Sequence, residues 1–383
     1  MSRSFTLVDN QDRINALAER LGAEPWVAVD TEFMRERTYY PVLCLLQVGT
    51  EKWCELVDPL ADVDLDPLWD ALYRPSLRKV FHAAEQDLEL LTLERGTPPA
   101  NLFDTQIAAP LLGQPEGMGY ARLVEALTGV QLSKDQTRAD WAARPLSEAA
   151  LRYAADDVIH LATIYPMLER ELARLGRDAW LEADWASLAD AARFQRDPET
   201  VGQRLKGLDR LSPAQQARAQ RLATWRERIA QQTNQPKGWL LSDGTLQLVA
   251  RRNPTSLAEL KRIRDLKPGV ASQHGTALLD VLAAAPSNPE HPIRTQRKSR
   301  GDDNRRAVLD ALGAHVSLIA TQQAIHPDAL APRSLLDRWL DDPSSHFTPA
   351  WRDQLLFEPL AEFLSGTSNL RVESGALVVD RDS

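Results

Sequence analysis

Cysteine is nearly missing from this 383-residue chain: only Cys44 and Cys54 occur. They form neither a CxxC pair nor a Cys/His zinc pattern, which excludes a disulfide scaffold and a zinc module. Both thiols are expected to be buried as small hydrophobes in a reduced, cytoplasmic setting. Long apolar runs are lacking as well. The opening stretch MSRSFTLVDNQDRINALAERL has no apolar signal-peptide core, so neither export nor a membrane partner is expected. No heptad run calls for a coiled coil, and the expectation is a monomer without an obligatory protein partner. Histidines form no cluster.

What is present is the composition of a folded protein, 43% hydrophobic and 26% charged, at a length that implies two or three domains. The net charge of −9 hides an asymmetry. Residues 1–200 carry 20 Lys and Arg against 34 Asp and Glu, a net of −14, and residues 201–300 carry 18 against 7, a net of +11. The basic block suits phosphate contact, although a merely solvated basic surface reads the same way.

The first 200 residues alternate strand-like and helical runs, as in FTLVDNQDRINALAERLGAEPWVAVDTEF and LRKVFHAAEQDLELLTLERG. Strands followed by crossover helices predict an α/β sheet. The consecutive strands around residues 42–58 predict that this sheet is mixed. Beyond residue 205 strand signals fade. SPAQQARAQRLATWRERIAQQTN has Ser212 placed as N-cap and Pro213 at the first helical position. The domains expected are 1–204, a helical domain over 205–289, a Pro- and charge-rich linker over 290–302, and a second helical domain over 303–383.

The run WVAVDTEF places Asp30 and Glu32 two residues apart in a strand, hence on one face, where two like charges repel. Asp87 opens the helix after another strand. Asp157 lies on a long helix with Tyr153 one turn before it, while Asp156 points elsewhere. Several carboxylates without a histidine cluster favour a hard divalent cation, and a pair of such ions is the usual device for phosphodiester cleavage. Asp87 is equally well read as a charge on a helix dipole, and Asp104 as an N-cap or a supporting hydrogen-bond partner.

In order, VDTEF, FHAAEQDLELL and YAADDV resemble the three motifs of the DEDD exonuclease superfamily, in its Tyr-x-x-x-Asp subclass. The longer strings DTEFMRERTYYPVLCLLQ, FDTQIAAPLLG and TRADWAARPLSEAALRYAADDV resemble the ribonuclease D family over about residues 5–200. The unit near 210–290 resembles an HRDC domain, and the unit from about 303 resembles a second one more weakly. The resemblance implies an RNase H-like exonuclease fold with a mixed sheet, followed by two small all-α HRDC-type domains. It implies a 3′→5′ exoribonuclease that trims transfer-RNA precursors and other small structured RNAs with unpaired 3′ ends, releasing nucleoside 5′-monophosphates. By position it makes Asp30, Glu32, Asp87 and Asp157 ligands of two divalent cations, Mg²⁺ or Mn²⁺, with Asp30 bridging both and Tyr153 orienting the attacking water.

Further candidates for substrate contact are His82, Gln86, Arg35 and Arg138, with Arg37, Lys134 and Arg144 nearby in sequence. His82 is equally a satisfied strand-end histidine. Tyr39 and Tyr40 either stack a base or pack internally, and Trp141 reads as core. Competing readings are a DNA 3′→5′ exonuclease of the proofreading type and a non-catalytic nucleic-acid-binding scaffold. Relative turnover of RNA and DNA separates the first from the main reading. Metal-dependent turnover separates both enzymes from the scaffold.

Overall fold

The computed structural model describes residues 4–132, 139–289 and 303–381. Short β1 (Thr6–Val8) leads to α1 (Gln11–Ala23), whose N-cap Asn10 accepts the Arg13 amide at 3.2 Å. There follow β2 (Trp26–Met34), β3 (Val42–Gly49), β4 (Cys54–Val57), α2 (Asp66–Leu72), β5 (Arg78–Phe81) and α3 (Glu85–Arg95). Gly96 ends α3 in the left-handed conformation at φ 76°, a C-cap that glycine adopts without strain. Next come β6 (Leu102–Asp104), α4 (Thr105–Ala108), α5 (Tyr120–Thr128) and the 27-residue α6 (Glu148–Arg174), capped by Ser147.

These strands form one mixed sheet in the order β1-β4-β3-β2-β5-β6. β2 runs parallel to β5, and β5 to β6, whereas β3 is antiparallel to β4. The α/β expectation therefore holds, including its mixed sheet. β2 is central, and Val27, Ala28 and Val29 are buried. α6 packs against β4 and β5, and its Ala154, Ala155 and Val158 are buried. Cys44 and Cys54 are both buried and unbridged.

The remainder is helical: α7 (Glu182–Leu188), α8 (Pro198–Val201), α9 (Pro213–Thr233), α10 (Lys237–Leu240), α11 (Asp243–Arg252), α12 (Leu257–Lys261) and α13 (Pro268–Ala283). From residue 303 on come α14 (Asp303–Gln323), α15 (Pro327–Leu330), α16 (Arg333–Trp339) and α17 (Ala350–Ser365). Ser212 and Gln215 form a reciprocal capping box at the start of α9. The helical block is followed by a hairpin that the strand signals did not predict, β7 (Ser368–Glu373) with β8 (Ala376–Arg381). Its two turn residues, Ser374 and Gly375, sit at φ 51° and 82°, the primed turn that suits hairpin twist.

By compactness the chain forms two units. The first comprises residues 1–32, 43–191 and 300–383, and the second comprises 33–42 and 192–299. Within the first, the buried Arg177 donates to the carbonyls of Leu111 and Gln323, the His326 amide donates to Pro110 O at 2.8 Å, and Trp180 stacks on Trp351 at 4.6 Å. Within the second, the segment after β2 is gripped by α9. Asn234 Oδ1 accepts the amides of Tyr39 and Tyr40 at 3.1 and 3.0 Å, and the Tyr39 hydroxyl donates to the buried Glu227 at 2.5 Å. Tyr39 is thus packed with Ala230 and Leu240, internal rather than a free stacking platform.

Candidate active site

β2 delivers Asp30 and Glu32 at its carboxyl end, and α6 brings Asp157 to them. One carboxylate oxygen from each of these three residues lies within 4.8 Å of the others. Asp87, buried in the first turn of α3, stands beside this group rather than in it. The Thr31 hydroxyl, between the two strand acids, donates to Asp87 Oδ1 at 2.5 Å and fixes that carboxylate.

Burial pushes every one of these carboxyls upward, and neighbouring carboxylates add to it. Asp30 stands well above the usual carboxylate range through burial, then through the charges of Asp87, Asp157 and Glu32. Glu32 rises to about 8, from burial and then Asp157 and Asp87. Asp157 rises to about 7, from burial and then Asp156 and Asp87. Asp87 also reaches about 7 by burial, opposed by the bond from Thr31. Among the described residues, the leading charges acting on these four acids are all carboxylates. A cluster of carboxylate oxygens whose charges repel one another fits a hard multivalent cation, which removes the repulsion that otherwise holds protons on the site.

Tyr153 lies one turn before Asp157 on the same helix face, half-buried, its ring tilted against the buried Trp141 at 6.2 Å. Asp156 turns aside toward Arg152, 3.9 Å away. Asp104 caps α4 by accepting the Gln106 amide at 2.8 Å. It also accepts the amides of Ala83 and Ala84 at 3.0 and 2.8 Å. It thereby fixes the β5–α3 turn, in which Ala83 takes φ 61°. His82 pairs through Nδ1 with Thr105 Oγ1 at 2.9 Å, and burial lowers its pKa against the opposing charge of Asp104.

Gln86 is exposed at the start of α3. Arg35, in segment 33–42, donates to the Tyr39 carbonyl at 3.2 and 3.1 Å. Arg144 is committed to Asp58 at 2.6 and 2.7 Å and to the Cys44 carbonyl. That removes it as a phosphate-gripping candidate, because its donors are already engaged. Arg138 and Lys134 lie outside the described residues. Tyr120 is a site neighbour that no sequence motif marks. This residue opens α5, sets its ring 5.4 Å from that of His82, and donates its hydroxyl to the Asp157 main-chain carbonyl. Burial and the charges of Asp157 and Asp30 keep that hydroxyl protonated. No periodicity in the sequence signals this contact, because only the tertiary fold brings α5 against α6.

The 3′-5′ exonuclease family profile matches residues 5–173, and the HRDC domain profile matches residues 215–282. The chain is 38% identical to ribonuclease D of Gluconacetobacter diazotrophicus, over 96% of both chains. It is 40% identical to ribonuclease D of Zymomonas mobilis, over 76% of both. Among solved structures it is similar to Escherichia coli RNase D, described as an exoribonuclease involved in structured RNA processing. That match has a TM-score of 0.78 and 32% identity, covering 95% of this chain and 99% of that one.

Proposed function

The chain belongs to the ribonuclease D family, and on that footing we propose that it trims unpaired 3′ ends of transfer-RNA precursors and other small structured RNAs. It is a 3′→5′ exoribonuclease, a phosphodiester hydrolase. The observation that carries the site reading is the meeting of Asp30, Glu32 and Asp157 within 4.8 Å. In this reading those three and Asp87 hold two divalent cations, Mg²⁺ or Mn²⁺. When bound, the cations polarise the scissile phosphate and offset charge on the leaving oxygen. Asp30, on the central strand, would hold the cations together with the other three acids. Tyr153 holds and orients the attacking water from the helix turn before Asp157. Asp104 and Thr31 keep the Asp87 turn in place, and the products are nucleoside 5′-monophosphates.

We assign the exonuclease domain to 1–204, an HRDC domain to 205–289 and a second HRDC-like domain to 303–383. The net charge of +11 over residues 201–300 supports a role in gripping the RNA body through phosphates, which carry little sequence information. His82 and Gln86 flank the second acidic motif and are the candidates for touching the terminal nucleotide, with Arg35 and Arg138 for phosphate. The enzyme is expected to act as a monomer in the cytoplasm. Among the described residues, no helix is long and apolar enough to cross a membrane.

The test is a precursor RNA bearing an unpaired 3′ extension. Stepwise shortening with release of 5′-monophosphates supports the reading, and internal cuts or 3′-monophosphates refute it. Replacing the exposed Arg251, Arg252 and Lys261 by alanine should reduce the slope of log affinity against log salt by about 0.7–0.9 for each phosphate that is no longer neutralised. An unchanged slope would remove those residues from the RNA-gripping role.

A further inference from the structure

We infer that Tyr120 is a positioning residue for the hydrolytic reaction, holding the part of α6 that carries Tyr153 and Asp157 in register with Asp30 and Glu32. Its hydroxyl donates to the main-chain carbonyl of Asp157 and lies 3.4 Å from that of Asp156. A carbonyl has two lone pairs, so the oxygen that serves the helix ladder accepts this bond as well. The anchored rung is that of the site carboxylate itself.

Near this rung the sheet also gives α6 a long sulfur contact, from Cys54 Sγ to the Ala155 carbonyl at 3.9 Å, and apolar burial. Ala154, Ala155 and Val158 are buried there, small side chains whose packing is non-directional. Moving along a helix by one residue shifts the axis by about 1.5 Å and rotates the side chains by about 100°, so a directional bond is what sets register. Pro166 denies Ala162 its ladder partner just past this point, which leaves α6 more dependent on outside anchoring.

Tyr120 is itself fixed. It opens α5, whose Leu123 and Val124 are buried, and its ring packs on His82, the residue that begins the turn leading to Asp87. One side chain therefore bears on both the second and the third acidic motifs. The inference rests on the hydrolytic reading of the site, which wild-type turnover tests by itself.

Tyr73 supplies the comparator, because its hydroxyl also donates to a main-chain carbonyl, that of Leu91 at 2.6 Å, with no site acid involved. Y120F and Y73F each remove one such bond and keep the ring. Steady-state kinetics on a short RNA and Mn²⁺ binding without RNA, followed by electron paramagnetic resonance, should be measured for both variants and wild type. Y120F should lose about 10- to 100-fold in kcat with KM changed by less than about twofold, the signature of misplaced reacting groups. It should also bind Mn²⁺ more weakly. Y73F should match wild type in kcat and Mn²⁺ binding while losing similar thermal stability. If Y120F turns over like an active wild type, or if Y73F falls equally in kcat, Tyr120 is merely a packed tyrosine and the inference is overturned.

Discussion

Replacing Glu32 by glutamine should stabilise the metal-free protein while abolishing its activity. The Glu32 carboxyl is raised from 4.5 to about 8, by burial first and then by Asp157 and Asp87. A carboxyl with a raised native pKa holds more protons folded than unfolded. Its stabilising contribution is therefore whole below the unfolded value and lost as pH rises through about 8. At about 1.4 kcal/mol per pKa unit, ionising it costs at most roughly 4 kcal/mol near pH 7.5. Glutamine keeps the shape without that cost. In chelator near pH 8, Glu32→Gln should melt on the order of 5 °C above wild type. The gap should shrink toward pH 5, where both side chains are neutral. Divalent metal should reverse the order, because wild type gains a ligand and the variant does not. Thermal unfolding of both proteins from about pH 5 to about pH 8.5, with and without metal, makes the comparison. Lys79, lowered to about 8 by burial in β5, titrates equally in both and cancels. A variant that melts at or below wild type in chelator near pH 8, or a gap that does not change with pH, would show that Glu32 is not held protonated by its surroundings.

Two further outcomes follow from named hydrogen bonds. Asp104→Ala frees the amides of Ala83, Ala84 and Gln106, so chemical unfolding should show a loss of about 2–4 kcal/mol, and kcat should fall as Asp87 loses its seat. Tyr39→Phe deprives the buried Glu227 of its hydroxyl donor and should cost about 1–3 kcal/mol in urea unfolding, with little change in turnover of short oligonucleotides.

The strand and helix spacings carried the site. A two-residue interval put Asp30 beside Glu32, and a four-residue interval put Tyr153 over Asp157, because those periods are dictated by local backbone geometry. The mixed sheet was legible for the same reason, in the strands on either side of the turn near Gly49. Pairings between distant segments were not legible. Thr31 to Asp87 spans 56 residues and Arg144 to Asp58 spans 86, and nothing in local periodicity couples such positions. The three-residue β6 is too short to show alternation. Segment 33–42 falls inside the expected 1–204 domain, yet it packs with α9, because Asn234 takes two of its amides and Tyr39 is buried against Ala230 and Leu240. That packing makes deletion of the helical block a poor test of its role, since it would expose Tyr39 immediately downstream of Glu32.

The most direct test of the site is digestion of a 5′-labelled single-stranded RNA and its DNA counterpart, with Mg²⁺ or with chelator, by wild type and by Asp157→Asn. Wild type with metal should give an RNA ladder shortening from the 3′ end and slower loss of DNA, with no shortening in chelator or with the variant. Undiminished shortening by Asp157→Asn, or by wild type in chelator, would contradict a metal site built on Asp30, Glu32 and Asp157.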